Sequence, residues 1–268
     1  MNPGPGATAG PGRGFAFNSA SDGPLSLLQI HDVRKSFGGV KAVDGCSFGV
    51  ETGTITALIG PNGAGKTTMF NMINGLHRAD AGAIVFEDKS IERMQPHRIT
   101  ARGISRTFQI SRQLSDLTVL ENLVLQAPRS GIRDLFRHGL PVTECRRAME
   151  FLDFVGIADL ADLPAGKLSY GQKKLMDLAA GLMASPRLFL LDEPAGGINP
   201  ALLDVIVDRV LALQKDGVTF LIVEHNMDVV MNVCDPVVVM AYGKVLAAGS
   251  PKEIQSDAAV LEAYLGIG

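Results

Sequence analysis

The sequence predicts an α/β chain with a parallel central sheet and an inserted helical segment, and three features carry that prediction. A Gly-rich loop, Gly60-Pro61-Asn62-Gly63-Ala64-Gly65-Lys66-Thr67-Thr68, joins the apolar run Ile55–Ile59 to a stretch, 69–73, that continues as a helix. Two further apolar runs, 188–191 and 219–223, end in acidic residues and read as central strands covered on both faces. Residues 110–168 differ from both, with apolar positions recurring at helical spacing.

The loop matches G-x-x-x-x-G-K-[ST] in the strand–loop–helix setting that a phosphate cradle needs. Glycines at 60, 63 and 65 let successive backbone N–H groups turn inward around phosphates. The helix opening at Lys66 adds unpaired N–H donors and the positive end of its dipole. Lys66 supplies charge for β- and γ-phosphates, and the Thr67 hydroxyl is a ligand for Mg²⁺. The reading is nucleotide binding.

Composition narrows the field. At 268 residues the chain holds one sizeable α/β domain with a subdomain, or at most two small domains. A net charge of −3 gives no basic field, so composition offers no support for nucleic-acid binding. Cys46, Cys145 and Cys234 lie far apart without metal-ligand spacing and read as buried thiols in a reducing compartment. No run reaches the ~18 apolar residues of a membrane span, so any membrane link must run through a partner.

In chain order, residues 1–24 carry ten Gly or Pro and no apolar period, and are expected to be a disordered leader. From 25 onward, 28–33 alternates as a half-exposed strand and 40–50 suggests a second. Phe37 lies between them beside Gly38-Gly39, either stacked on a nucleobase or packed on the sheet. After the phosphate loop come a turn at 80–82, a strand at 83–86, and a return to the core ending Ser105-Arg106-Thr107-Phe108-Gln109. Thr118 and Glu121 have capping-box spacing and start a helix through Leu125. A basic connector, 128–141, precedes a helix with Cys145, Ala148, Leu152 and Val155 on one face.

Ser169 and Gln172 repeat the capping-box spacing, and Leu175, Leu178, Ala179 and Leu182 mark the buried face that follows. Ser169, Gly171 and the helix start form a second anion-binding candidate. The strand 188–191 delivers Asp192 and Glu193 to the sheet end where open α/β folds bind ligands. Asp192 suits Mg²⁺, directly or through water, and Glu193 suits deprotonation of an attacking water. Asn199-Pro200 caps a helix with the stripe Leu203, Ile206, Val207, Val210 and Leu213, stopped at Gly217. The strand Thr219–Val223 ends at Glu224-His225, where His225 can donate to a γ-phosphate. A hairpin over 237–247 and a short helix at 253–265 complete the chain.

The order of these pieces resembles the ATP-binding-cassette (ABC) ATPase family over residues 26–268. Residues 60–67 resemble its Walker A motif, Gln109 its Q-loop, and 168–172 its signature motif. Residues 188–193 resemble Walker B with the catalytic glutamate, 196–199 the D-loop, and His225 the switch histidine. The segments 105–109, 168–172, 193–200 and 262–266 are similar to the longer ATPase subunit of branched-chain amino acid importers. Tyr170 stands where the wider family has Gly, a substitution this importer group shares; Asn199 replaces the usual D-loop Asp, and Phe37 the usual Tyr.

The resemblance implies a P-loop NTPase fold: a RecA-like parallel core, an antiparallel β subdomain, and an α-helical subdomain inserted at 110–168 within a domain spanning 25–268. It implies ATP and Mg²⁺ as ligands. Phe37, Gly60, Asn62, Gly63, Gly65, Lys66, Thr67 and Thr68 would hold the nucleotide. Ser169, Gly171 and Gln172 would hold it from across a subunit interface. Thr67, Gln109 and Asp192 would serve the metal, and Glu193, His225 and Gln109 the chemistry. It implies a second cassette subunit, identical or not, membrane permeases, indirectly a solute-binding protein, no nucleic acid, and a peripheral place on the cytoplasmic face of the cell membrane. Alternatives in other classes are an ATPase for urea or another small solute, an exporter ATPase, or a cassette acting on DNA or ribosomes. The last would need a long coiled coil or a second fused cassette, and this sequence shows neither.

Overall fold

A computed structural model of the chain describes residues 26–107, 114–127 and 141–265. The expected leader (1–24), most of the expected connector, and Gln109 lie outside the described residues.

Two sheets share the work of positioning the phosphate loop. Strands β1 (Ser26–Phe37) and β2 (Val40–Glu51) form a hairpin turned at Gly38-Gly39. With β4 (Ala81–Phe86) and β5 (Lys89–Ser90) they make a four-stranded antiparallel sheet in the order β2-β1-β4-β5. The sequence suggests a turn at 80–82, yet Ala81 already pairs with Arg34 across a bulge in β1. The bulge supplies the bend that the turn residues were expected to make.

The second sheet holds β3 (Ile55–Ile59), β6 (Ile104–Arg106), β7 (Leu188–Asp192), β8 (Thr219–Val223), β9 (Val237–Ala241) and β10 (Lys244–Gly249). Its order is β10-β9-β3-β8-β7-β6, parallel throughout except for β10, which returns antiparallel on β9. Every residue of β3, β7, β8 and β9 is buried. That is the pattern of strands covered on both faces, and it explains why these runs lack alternation in sequence.

Alternate residues serve two cores. Ile55, Ala57, Ile59, Phe189, Leu191, Phe220 and Ile222 face one, and Phe189 and Phe220 stack there with centroids 5.9 Å apart. This core is closed by α3 (Val119–Leu125), α4 (Val142–Val155), α5 (Tyr170–Leu182) and α6 (Pro200–Lys215). Leu58, Leu190, Leu221 and Val223 face the other core, shared with the antiparallel sheet and with α1 (Lys66–Ile73). The helix behind the phosphate loop is thus packed between both sheets. Its Met69, Phe70, Met72 and Ile73 are all fully buried. Near the loop the sheets are stitched by Asp44 N donating to Gly243 O at 2.7 Å and Gly243 N to Ala64 O at 3.2 Å.

The expected capping boxes are present. Thr118 Oγ1 accepts from Glu121 N at 3.1 Å while Glu121 Oε2 accepts from Thr118 N at 2.8 Å, and α5 opens the same way. On α6 the buried positions are Ile206, Val210 and Leu213, with Leu203 and Val207 half-buried at the stripe's edges. The single helix expected at 253–265 is instead two, α8 (Pro251–Ser256) and α9 (Ala258–Leu265). Asp257 between them is extended, and its carboxylate accepts from Val260 N at 3.0 Å, which caps a new helix rather than continuing the old one. Among the described residues the other α-helices are α2 (Pro96–Ala101) and α7 (Met227–Val233).

Candidate active site

The phosphate loop leaves the C-terminal end of β3 and feeds α1. Two of its glycines are fixed by space. At Gly60 (φ 147°) a Cβ would sit 2.0 Å from Met240 O, and at Gly65 (φ 102°) 2.3 Å from Ala42 O. Any side chain there pushes the loop off both β9 and β2. Gly65 is the N-cap of α1 and offers no side-chain cap, so the first-turn N–H groups are available to an anion.

Lys66 folds back over this cradle, its ammonium donating to Gly60 O at 2.6 Å and Pro61 O at 3.0 Å. Burial lowers its pKa, and the negative charges of Glu193 and then Asp192 oppose that shift. Lys66 opens α1 just past β3, β3 pairs in parallel with β8 and β8 with β7, so the lysine and both carboxylates lie at the same end of the sheet. Asn62, Gly63 and Thr67 are exposed along the loop and Thr68 is half-buried. The Phe37 ring, 44% exposed, lies at the tip of the β1–β2 hairpin; it meets His77 edge-on at 5.2 Å, with Lys35 Nζ 5.4 Å from its centroid. It closes β1 at the hairpin tip and is exposed rather than buried in the sheet.

Asp192 closes β7, and its side chain is 2% exposed. Arg106, from the end of the neighbouring strand β6, ion-pairs with it at 2.7 Å and also donates to Asn71 on α1 at 2.7 Å. A carboxylate at the sheet's C-terminal edge and the Thr67 hydroxyl are hard oxygen donors of the kind Mg²⁺ takes. Sequence reading singled out Asp192 but not the arginine that holds it.

Glu193 follows with φ 49°, left-handed for a residue that is not glycine. Its N–H donates to Val223 O at 2.9 Å, and its carbonyl accepts from Gly196 N at 3.0 Å and from Lys174 Nζ at 2.8 Å. The conformation turns the side chain toward β8's end, where Glu193 Oε1 lies 3.2 Å from His225 Nε2. His225 is itself aimed by Glu224, a side chain that sequence reading passed over. Glu224 is 2% exposed and accepts backbone N–H groups from Ala195 at 2.6 Å, His225 at 2.8 Å and Asn226 at 2.9 Å. One buried carboxylate thereby fixes the loop after Glu193 and the turn that carries His225.

Lys66, Asp192, Glu193 and His225 thus converge at one end of the parallel sheet. The second set does not join them. Among the described residues, the contacts of Ser169, Gly171 and Gln172 lie within α5 and against α6. Ser169 N donates to Gln172 Oε1 at 2.8 Å, Gln172 N donates to Ser169 Oγ at 3.3 Å, and a Cβ on Gly171 would strike Leu202 at 2.4 Å. The helix start is therefore not bare; yet the Ser169 hydroxyl, accepting from the backbone, keeps its own proton to donate.

Known proteins resemble this chain in sequence and fold. The profile of the ABC transporter family matches residues 43–196. That of the branched-chain amino acid ATP-binding cassette transporter matches 244–268. The chain is similar to the probable branched-chain amino acid transport ATP-binding protein LivG of Archaeoglobus fulgidus, at 41% identity over 90% of this chain and 96% of that protein. It is also similar to the high-affinity branched-chain amino acid transport ATP-binding protein BraF of Pseudomonas aeruginosa, at 36% identity over 90% and 98%. Among solved structures, a nucleotide-free ATP-binding cassette from an ABC transporter superposes with a TM-score of 0.81. It is 38% identical over 90% of this chain and 99% of that one. The ADP conformation of the cassette MJ1267 matches equally, at 38% identity and a TM-score of 0.81.

Proposed function

The chain belongs to the ABC transporter family of nucleotide-binding ATP hydrolases, and we propose that it powers import of branched-chain amino acids through separate membrane permeases. The cargo reading is supported by the printed names of relatives that span nearly the whole described chain and by the family match over 244–268. Among the described residues no helix is long and apolar enough to cross a membrane, which is consistent with a peripheral place on the permease's cytoplasmic side.

The observation that carries the chemistry is the convergence of Lys66, Asp192, Glu193 and His225. In this reading the loop N–H groups and Lys66 bind the phosphates, displacing Lys66 from its carbonyls, and Phe37 offers its exposed ring to the base. Thr67 and Asp192 would hold Mg²⁺, which neutralises charge on the β- and γ-phosphates. Glu193 accepts the proton of the attacking water, and His225, held beside it, donates to the γ-phosphate. Ser169, Gly171 and Gln172 serve a second copy's nucleotide, since they lie away from this chain's own loop. A head-to-tail pair then completes two composite sites, and Gln109 would link the site to the inserted helices.

A cleft of about 320 Å³ supports the permease reading. It opens between α2, β6, α3 and α5, lined by Thr100, Arg106, Asn122, Gln126 and Met176 among others. Arg106 reaches from that cleft to Asp192, so the surface is joined directly to the nucleotide end of the sheet.

The test of the catalytic reading is Glu193→Gln. ATP binding should persist while phosphate release falls by roughly 10²–10⁴, the usual worth of a general base. Phosphate release at the wild-type rate would overturn the assignment.

A further inference from the structure

The loop after β7 holds Glu193 in an unfavourable backbone region, and something must over-determine it. Part of the answer is the Val223 carbonyl and the turn closed by Gly196 N. Glu224 holds Ala195 N within the same turn, and one face of α5 adds two further contacts. Lys174 places its ammonium 2.8 Å from the Glu193 carbonyl oxygen, a charge-assisted bond to the strained peptide itself. One turn earlier on the same face, Tyr170 donates its hydroxyl to Gly196 O at 3.1 Å. The Tyr170 ring covers Gly197, where a Cβ would come within 3.1 Å of it, and Lys174 Nζ lies 5.8 Å from the ring centroid. Two side chains four residues apart therefore grip both ends of the turn 193–197.

We propose that Tyr170 and Lys174 are positioning residues for hydrolysis: a clamp from the signature helix that sets the backbone of Glu193 and so the distance of its carboxylate from His225. The clamp rests on the reading of Glu193 as the base. It also gives Tyr170 a task that glycine at this position lacks, because glycine has no side-chain donor to reach Gly196 O. Both side chains hold the 193–197 turn rather than the phosphate loop, so the clamp is read in kcat.

The experiment is steady-state ATP hydrolysis by the purified full chain, with ATP binding measured separately. Lys174→Met keeps the aliphatic stem and removes the donor. It should lower kcat roughly tenfold to a hundredfold, the scale of an ångström's misplacement of a catalytic group, with KM for ATP within about twofold. Lys174→Arg, which restores a cationic donor, should recover most of the loss. Tyr170→Phe removes one oxygen atom, cannot disturb folding through packing, and should lower kcat severalfold, again without moving KM. Wild-type kcat in both Lys174→Met and Tyr170→Phe would overturn the clamp, as would a loss expressed in KM or one that arginine fails to rescue. Glu193→Gln run alongside separates the two claims. If it keeps full turnover, the reading of Glu193 fails and the clamp with it; if it loses turnover while the clamp variants do not, the clamp alone fails.

Discussion

At the scale of single residues, the groups legible in the sequence are those whose meaning lies in adjacent positions. The phosphate loop, the Asp192-Glu193 pair and His225 each announce themselves within a few residues of a strand end. Their partners do not. Arg106 is 86 residues from Asp192 and Glu224 lies 29 from Ala195, and no local pattern joins them. The Arg106–Asp192 pair is almost fully buried, so deleting the arginine would strand a carboxylate at a cost of about 3–5 kcal/mol. The cysteines were read together as buried thiols; Cys46 and Cys234 are buried, but Cys145 is only half-buried. Burial pushes the thiols of Cys46 and Cys234 up to about 12. Alkylation of the native protein near pH 8, followed by mass spectrometry, should label Cys145 first and leave the other two until the chain unfolds. The sign for stability follows from the same shift. The contribution of the two protonated thiols is complete below their ordinary value of 9.0 and is lost as pH rises toward about 12, because the unfolded chain ionises first. Equal labelling of all three cysteines in the folded state would contradict their burial.

At the scale of elements, local chemistry carried most of the reading. The boxes Thr118/Glu121 and Ser169/Gln172 fix the starts of α3 and α5, and both are spelled out at a spacing of three. The break at Asp257 was missed because an extended Asp that caps the next helix resembles an ordinary polar position inside one continuous helix. Helix α5 does two jobs at one end: its N-cap offers a hydroxyl proton outward, and its first two turns grip the loop of Glu193. Ser169→Arg separates these. The variant should bind nucleotide as a monomer with unchanged affinity, yet fail to pair in ATP when followed by sedimentation in a Glu193→Gln background. Loss of monomer binding in parallel with pairing would put Ser169 in the same-chain pocket instead.

At the scale of the whole molecule, most strands were legible as apolar runs but their order in the two sheets was not. Buried parallel strands look alike in sequence, and nothing local says that β3 lies between β8 and β9. That order is what sets β3, β7 and β8 side by side and brings the phosphate loop, the carboxylates and His225 to one edge. It also sets the cleft beside Arg106, which reaches from it to Asp192. Filling that cleft by Gln126→Trp, an exposed position on its wall, should abolish membrane fractionation with a co-expressed permease and leave the isolated ATPase near wild-type. The most direct measurement reconstitutes the chain with the permease subunits of a branched-chain amino acid importer in vesicles containing a leucine-binding protein, and follows radiolabelled leucine. Accumulation that requires ATP, and that falls to background with Glu193→Gln, is the predicted result; ATP hydrolysis by the assembled complex without leucine accumulation, or accumulation that survives the substitution, would contradict it.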